Sequence, residues 1–247
     1  MSAILRTEKL SKFFGGLRAL QKVDLEVRAN EILGMIGPNG AGKTTFFNTV
    51  CGVYAADGGK VFLEGSEITG MPTHRIARLG IGRTFQIVKP FMNLSLERNI
   101  LAALGKDRMK GVSPALLGID LEKSREEVRR LLRLVGIEGS IAQLARTLTL
   151  GHQKRMEIAR ALALKPKLLM LDEPFAGLSQ EEIRPLVGVI KSLKAEGITI
   201  LLIEHNVPFV MEVCDRLVVL NFGEKLCEGT PQEVRMDRRV IEAYLGT

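Results

Sequence analysis

Nine consecutive residues, Gly37-Pro38-Asn39-Gly40-Ala41-Gly42-Lys43-Thr44-Thr45, carry the most specific chemistry in the sequence. They fit G-x-x-x-x-G-K-[ST], a loop whose glycines let successive backbone N–H groups turn inward on a phosphate chain. The apolar run Ile32-Leu33-Gly34-Met35-Ile36 precedes it and suits a buried parallel strand. Thr45 to Val50 can continue as a helix, whose N-terminus adds partial positive charge and unpaired donors. In that setting Lys43 reaches the β- and γ-phosphates of a nucleotide and the Thr44 hydroxyl holds Mg²⁺. The plainer reading, a Gly-rich turn followed by a chance Lys-Thr, does not call for a strand and a helix on either side.

Two acids lie far downstream. The apolar run Leu168-Leu169-Met170-Leu171 ends in Asp172 and Glu173, the form of a central parallel strand that presents carboxylates at the ligand edge of its sheet. With Mg-ATP in the site, one carboxylate would hold the metal and the next would orient and deprotonate an attacking water. A second buried run, Ile198 to Ile203, ends at Glu204-His205 and brings His205 to the same edge. The alternatives are two surface acids and a structural histidine.

Several elements must position these groups. Residues 4–28 alternate apolar and charged positions around Ile4, Leu10, Val23, Leu25 and Val27, which predicts half-buried antiparallel strands broken at Phe13-Phe14-Gly15-Gly16. Gly58-Gly59 suggests another turn, before a strand over 60–65. Strand character is lost around Arg83-Thr84-Phe85-Gln86. From Leu94 to about Leu164 the pattern is helical, with one stripe at Leu96, Ile100 and Leu104. A second stripe runs through Leu121, Val128, Leu131, Leu132 and Val135, with Glu126 and Arg130 paired across a turn. Gly105 to Gly118 reads as a loop-rich connection. Ser179 and Glu182 have capping-box spacing for a helix running towards Ala195, with a kink or late start expected at Pro185. Leu217 to Leu220 and a turn at Gly223 follow, and Thr230-Pro231-Gln232-Glu233 opens the last helix. The expected organisation is a single domain over 1–247. Its α/β core and N-terminal antiparallel β subdomain occupy 1–90 and 160–247, and a helical subdomain is inserted at 91–159.

Bulk composition agrees with one large domain of 247 residues that buries a core, at 46% hydrophobic and 26% charged. Trp is absent and aromatics are 5%, which leaves few stacking platforms for single-stranded nucleic acid. The net charge of +7 fits a nucleotide, an anionic membrane face or a solvated basic surface, and does not choose among them. Cys51, Cys214 and Cys227 have no C-x-x-C spacing and read as small buried residues in a reducing compartment. The charged N-terminus is unlike a signal peptide, and no apolar run reaches the roughly 18 residues of a membrane span. A membrane role is therefore expected to be peripheral.

With these motifs in hand, the sequence resembles the ATP-binding subunits of ABC transporters over nearly its whole length. The resemblance implies a P-loop NTPase (RecA-like) α/β fold, ATP and Mg²⁺ as cofactors, and ATP hydrolysis. Gly37 to Thr45 corresponds to the Walker A loop, and Leu168 to Glu173 to Walker B. Asp172 is then the metal-side carboxylate and Glu173 the general base. Gln86 is similar to the Q-loop glutamine that contacts Mg²⁺ and senses the membrane partner, and Ala176-Gly177-Leu178-Ser179 sits at the D-loop position. His205 resembles the switch histidine on the γ-phosphate. Phe14 matches the aromatic that stacks on adenine, with a core anchor as the other reading. The family's Leu-Ser-Gly-Gly-Gln signature departs to Leu148-Thr149-Leu150-Gly151-His152, where Thr149 keeps a hydroxyl and Gly151 a close backbone approach.

In the family that signature completes the ATP site of the opposite subunit. The resemblance thus implies a second ABC ATPase, itself or a paralogue, in a head-to-tail dimer. It also implies transmembrane permease subunits, with an extracytoplasmic binding protein engaged indirectly, and a cytoplasmic position at the inner face of the membrane. Ile87 to Met92 either receives a permease helix or packs inside the helical lobe. Gly15-Gly16, Gly82 to Gln86, Ile203 to Asn206 and Ala243 to Gly246 are similar to the branched-chain amino acid importer ATPases. Pro174-Phe175-Ala176-Gly177 also resembles the lipopolysaccharide exporter ATPase. A nucleic-acid-associated ABC ATPase would need a second ATPase domain or a long coiled coil, for which the interval from Gln86 to Leu148 leaves no room, so no nucleic-acid partner is expected. A degenerate partner of low turnover is a further reading, prompted by Leu150 and His152.

Overall fold

The computed structural model describes residues 3–86, 88–105 and 121–245, so most of the connection expected over Gly105 to Gly118 lies outside the described residues. The N-terminal alternation produces β1 (Ala3–Phe14) and β2 (Leu17–Arg28), antiparallel and joined at Gly15-Gly16. With β4 (Gly58–Leu63) and β5 (Ser66–Glu67) they form a four-stranded sheet in the order β2-β1-β4-β5. The second sheet has the order β10-β9-β3-β8-β7-β6. Its strands are β3 (Ile32–Ile36), β6 (Ile81–Arg83), β7 (Leu168–Asp172), β8 (Thr199–Ile203), β9 (Arg216–Asn221) and β10 (Glu224–Gly229). All of its pairings are parallel except β9 with β10.

Every residue of β3, β7 and β8 is buried, as an apolar run covered on both faces requires. Alternation divides these strands between two cores. Ile32, Ile36, Leu169 and Leu171 pack with the helices α3 (Leu96–Leu104), α4 (Leu121–Leu134), α5 (Leu150–Leu162) and α6 (Gln180–Ala195). Leu33, Met35, Leu168 and Met170 pack instead with the four-stranded sheet and with Phe46 and Phe47 of α1 (Lys43–Val50). The short helices α2 (Thr73–Leu79) and α7 (Val207–Val213) follow β5 and β8. The α/β fold with an antiparallel β-sheet is therefore the one expected. Because parallel order β3-β8-β7 sets three strand ends side by side, the loops after them share one edge.

Local expectations meet several corrections. Gly58 and Gly59 belong to β4 itself, and the turn follows at Glu64-Gly65. Ile81 to Arg83 retains strand pairing, as β6 against β7. Arg130 pairs with Glu127, not Glu126, one residue closer on the polar face at 2.8 Å. Helix α6 starts at Gln180 under a complete Ser179–Glu182 capping box, so Pro185 does not delay it. Thr230 does cap α8 (Pro231–Met236), but α9 (Arg238–Leu245) follows, so α8 is not the last helix. The boundary expected at 159/160 falls within α5.

Candidate active site

The turn from β3 into α1 is wedged between two other strands. A Cβ on Gly37 would stand 2.1 Å from the Leu220 carbonyl oxygen of β9. Gly42 has φ 102°, and a Cβ there would stand 2.4 Å from the Ala19 carbonyl of β2. Both contacts demand glycine. Gly42 is the N-cap of α1 and no side chain among the described residues accepts from the first amides of that helix, which leaves donors at the mouth of the loop. Lys43 is buried and donates to the carbonyls of Gly37 at 2.7 Å and Pro38 at 2.9 Å. Burial pulls its ammonium below the usual lysine range, and Glu173 and then Asp172 pull it back up.

Asn39, Gly40, Ala41, Gly42, Lys43, Thr44 and Thr45 line a cleft of about 520 Å³ together with Phe14, Glu173, His205 and Phe222. Gly37, Pro38 and Asn39 line an adjoining cleft with Gln86, Glu173, His205 and Tyr244. Phe14 is 43% exposed on the wall of the first cleft, which removes the core-anchor reading. Its ring meets Tyr54 edge-on at 5.2 Å.

Glu173 stands just past the end of β7 with φ 48°, a conformation that costs a non-glycine residue free energy and that clusters at functional sites. Its Oε1 lies 2.5 Å from His205 Nε2, and its Oε2 accepts from Gln86 Nε2 at 2.8 Å. Its carbonyl accepts from Lys154 Nζ of α5 at 2.7 Å. Three predicted catalytic groups thus meet on one carboxylate beside the phosphate loop.

Asp172 is buried, and its Oδ2 pairs with Arg83 Nη2 at 2.8 Å. Arg83 also donates to Asn48 of α1 at 2.8 Å. Burial pushes the Asp172 carboxyl up, with Arg83 opposing. Its Oδ1 is buried with no hydrogen-bond partner among the described residues, an atom that a cation would satisfy. Among the described residues no group of three or more His, Cys, Asp or Glu side chains could hold a metal. A single carboxylate suits a hard cation that keeps waters and phosphate oxygens, as Mg²⁺ does.

Thr149 and Gly151 are not brought to these clefts. Thr149 is the N-cap of α5 and its Oγ1 accepts from the His152 amide at 3.3 Å. Gly151 is buried against α6, where a Cβ would stand 3.2 Å from Glu182 Oε1.

Four residues that the sequence left without a role frame the site: Arg83, Lys154, Glu204 and Tyr244. Glu204 is buried and accepts from the amides of Phe175 at 2.6 Å, His205 at 3.0 Å and Asn206 at 3.3 Å. Burial raises its carboxyl despite those donors. Tyr244 of α9 lines the second cleft beside Gly37. A charge at the polar end of an apolar strand was the available signal for Glu204. Nothing local marked Tyr244.

The comparisons with known proteins agree with this geometry. A family model described as "ABC transporter" matches residues 20–176. A second, "Branched-chain amino acid ATP-binding cassette transporter", matches residues 224–247. The chain is 42% identical to the high-affinity branched-chain amino acid transport ATP-binding protein BraF of Pseudomonas aeruginosa, covering 98% of each. It is 36% identical to the lipopolysaccharide export system ATP-binding protein LptB of Haemophilus influenzae, covering 99% of this chain and 98% of LptB. Among solved structures, the ADP conformation of an ATP-binding cassette of an ABC transporter superposes with a TM-score of 0.89 at 33% identity, covering 100% of each chain. A phosphate loop facing a histidine- and glutamine-held glutamate, carried on this sheet and matched end to end, makes the chain a member of the ABC transporter family, as one of its ATP-hydrolysing, ATP-binding subunits.

Proposed function

We propose that this chain powers a branched-chain amino acid importer from the cytoplasmic face of the membrane, hydrolysing ATP at the cleft described above. The single observation that carries the catalytic part is Glu173, held by Gln86 and His205 at the edge of the phosphate loop. In this reading the loop amides and Lys43 grip the β- and γ-phosphates and Phe14 supports the adenine. Lys43 leaves its two loop carbonyls to do so. Glu173 takes a proton from the attacking water, and His205 orients the γ-phosphate. Asp172 Oδ1, Thr44 and Gln86 would hold Mg²⁺, whose charge, when bound, neutralises the phosphates. Thr149 and Gly151, turned away from their own cleft, complete the site of a second ABC ATPase in a head-to-tail dimer.

Force passes to permease subunits through the segment after Gln86. In it Phe91 and Met92 are 50% and 46% exposed, which favours docking over packing inside the helical lobe. No helix among the described residues is long and apolar enough to cross a membrane, so the permeases are separate chains in this proposal. The cargo assignment rests on the names of relatives such as BraF and on the match over residues 224–247. LptB supports lipopolysaccharide export as the second reading.

Glu173→Gln tests the catalytic part. It should retain ATP, accumulate as a dimer and lose about 10²- to 10⁴-fold in turnover; unchanged hydrolysis would refute the role. For the cargo, co-purification with two permeases and turnover stimulated by a leucine-loaded binding protein support import. Stimulation by lipopolysaccharide instead selects the second reading, and retention on DNA or ribosomes discards both.

A further inference from the structure

We propose that Phe222 is a second aromatic contact for the nucleotide base, sharing with Phe14 the recognition of a flat heterocycle. The inference rests on the nucleotide reading above and deepens it. Phe222 and Phe14 line the same cleft as the phosphate loop. Phe222 is 79% exposed, far more than Phe14 at 43%. Its ring therefore does little for the core, since apolar surface contributes to folding only when removed from water.

The backbone under that ring is strained. Phe222 and Gly223 form the two-residue turn between β9 and β10, with φ values of 46° and 78°. Such a turn favours Asn-Gly, because a bulky side chain is disfavoured in the left-handed region. An aromatic residue is thus kept where the fold would do better without one.

The turn is also fixed to the phosphate loop. Gln21 Nε2 donates to the Phe222 carbonyl at 2.9 Å. The Gln21 amide donates to the Gly223 carbonyl at 2.8 Å, and the Gly223 amide to the Ala41 carbonyl at 3.1 Å. A Cβ on Gly223 would stand 2.8 Å from the Ala19 carbonyl, so the turn sits flush against β2. The Phe222 ring is consequently mounted on the same backbone that would hold the phosphates. A platform fixed relative to the phosphate site can stack on a base with little ordering cost, and stacking tolerates any base because each has a π-face.

The test measures binding of ATP and of inorganic tripolyphosphate to the full chain by calorimetry, together with thermal unfolding. Phe222→Gly suits the left-handed turn, so it should unfold no earlier than the native chain while its ATP dissociation constant rises about 5- to 100-fold. Its tripolyphosphate affinity should be unchanged, and Phe222→Tyr should bind ATP as the native chain does. Native ATP affinity in Phe222→Gly overturns the proposal. So does an equal loss for ATP and tripolyphosphate, which would mean that the residue shapes the phosphate loop instead of touching the base. Lys43→Ala must weaken both ligands; if it weakens neither, the nucleotide reading fails too, and the two failures are told apart.

Discussion

Helix α1 begins at Lys43 behind a left-handed Gly42, and no side chain among the described residues accepts from its first amides. Helix α5 begins at Leu150 with Thr149 Oγ1 already accepting from the His152 amide. The first terminus faces a cleft that holds a glutamate, a histidine and an aromatic ring, whereas the second lies outside that cleft. A helix start that must only be stable is closed by its own chain, as Ser179 and Thr230 close α6 and α8 with full capping boxes. One that must receive an anion keeps its donors free. Helix α5 lies between these cases. It has a hydroxyl cap but no reciprocal glutamate, and Gly151 in its first turn packs against Glu182 of α6.

That contrast can be broken or sharpened by three substitutions. Lys43→Ala should have the largest effect, weakening ATP binding by the isolated chain roughly 10- to 100-fold through loss of a charge-assisted contact. Equilibrium binding with a fluorescent ATP analogue reads this, and native affinity would remove the phosphate-loop assignment. Thr149→Ala should lower stability to denaturant by about 1 kcal/mol through the lost cap. It should leave ATP affinity of the isolated chain untouched while slowing turnover of the dimer. If it weakens monomer binding as Lys43→Ala does, the two helix termini serve the same cleft and the contrast is gone.

The smallest expected effect is a pH slope. Burial holds the Asp172 carboxyl above the ordinary 3.8, so the folded chain keeps that proton more tightly than the unfolded chain. In metal-free buffer its contribution is therefore lost as pH rises from 3.8 through the raised value, and stability declines. Asp172→Asn should flatten that part of the profile in urea unfolding. An unaltered slope would assign it to the other buried carboxyls raised by burial, Glu157 and Glu204.

Features whose cause is local were legible before any coordinates. The Gly37–Thr45 loop, the buried runs of β3, β7 and β8 and the two capping boxes each follow from neighbouring residues. Features set by distant partners were not. Strand β6 has three residues and exists through its pairing with Leu168 to Met170. The ion pair of Arg83 with Asp172 joins residues 89 positions apart, and Lys154 reaches the Glu173 carbonyl across 19. Two apolar runs placed Glu173 and His205 at one sheet edge and the family resemblance pointed to Gln86, but only the fold shows one carboxylate shared among them.

Glu204 spreads one buried carboxylate over amides from two different loops, Phe175 after β7 and His205-Asn206 after β8. Neither loop can rearrange alone without leaving an oxygen of the buried Glu204 carboxylate short of a donor, at a cost of about 1–3 kcal/mol. A swing of the histidine would therefore be felt in the stretch that leads to Ala176 and Gly177. Two loops that look separate along the chain are geared together by a single carboxylate lodged beneath them.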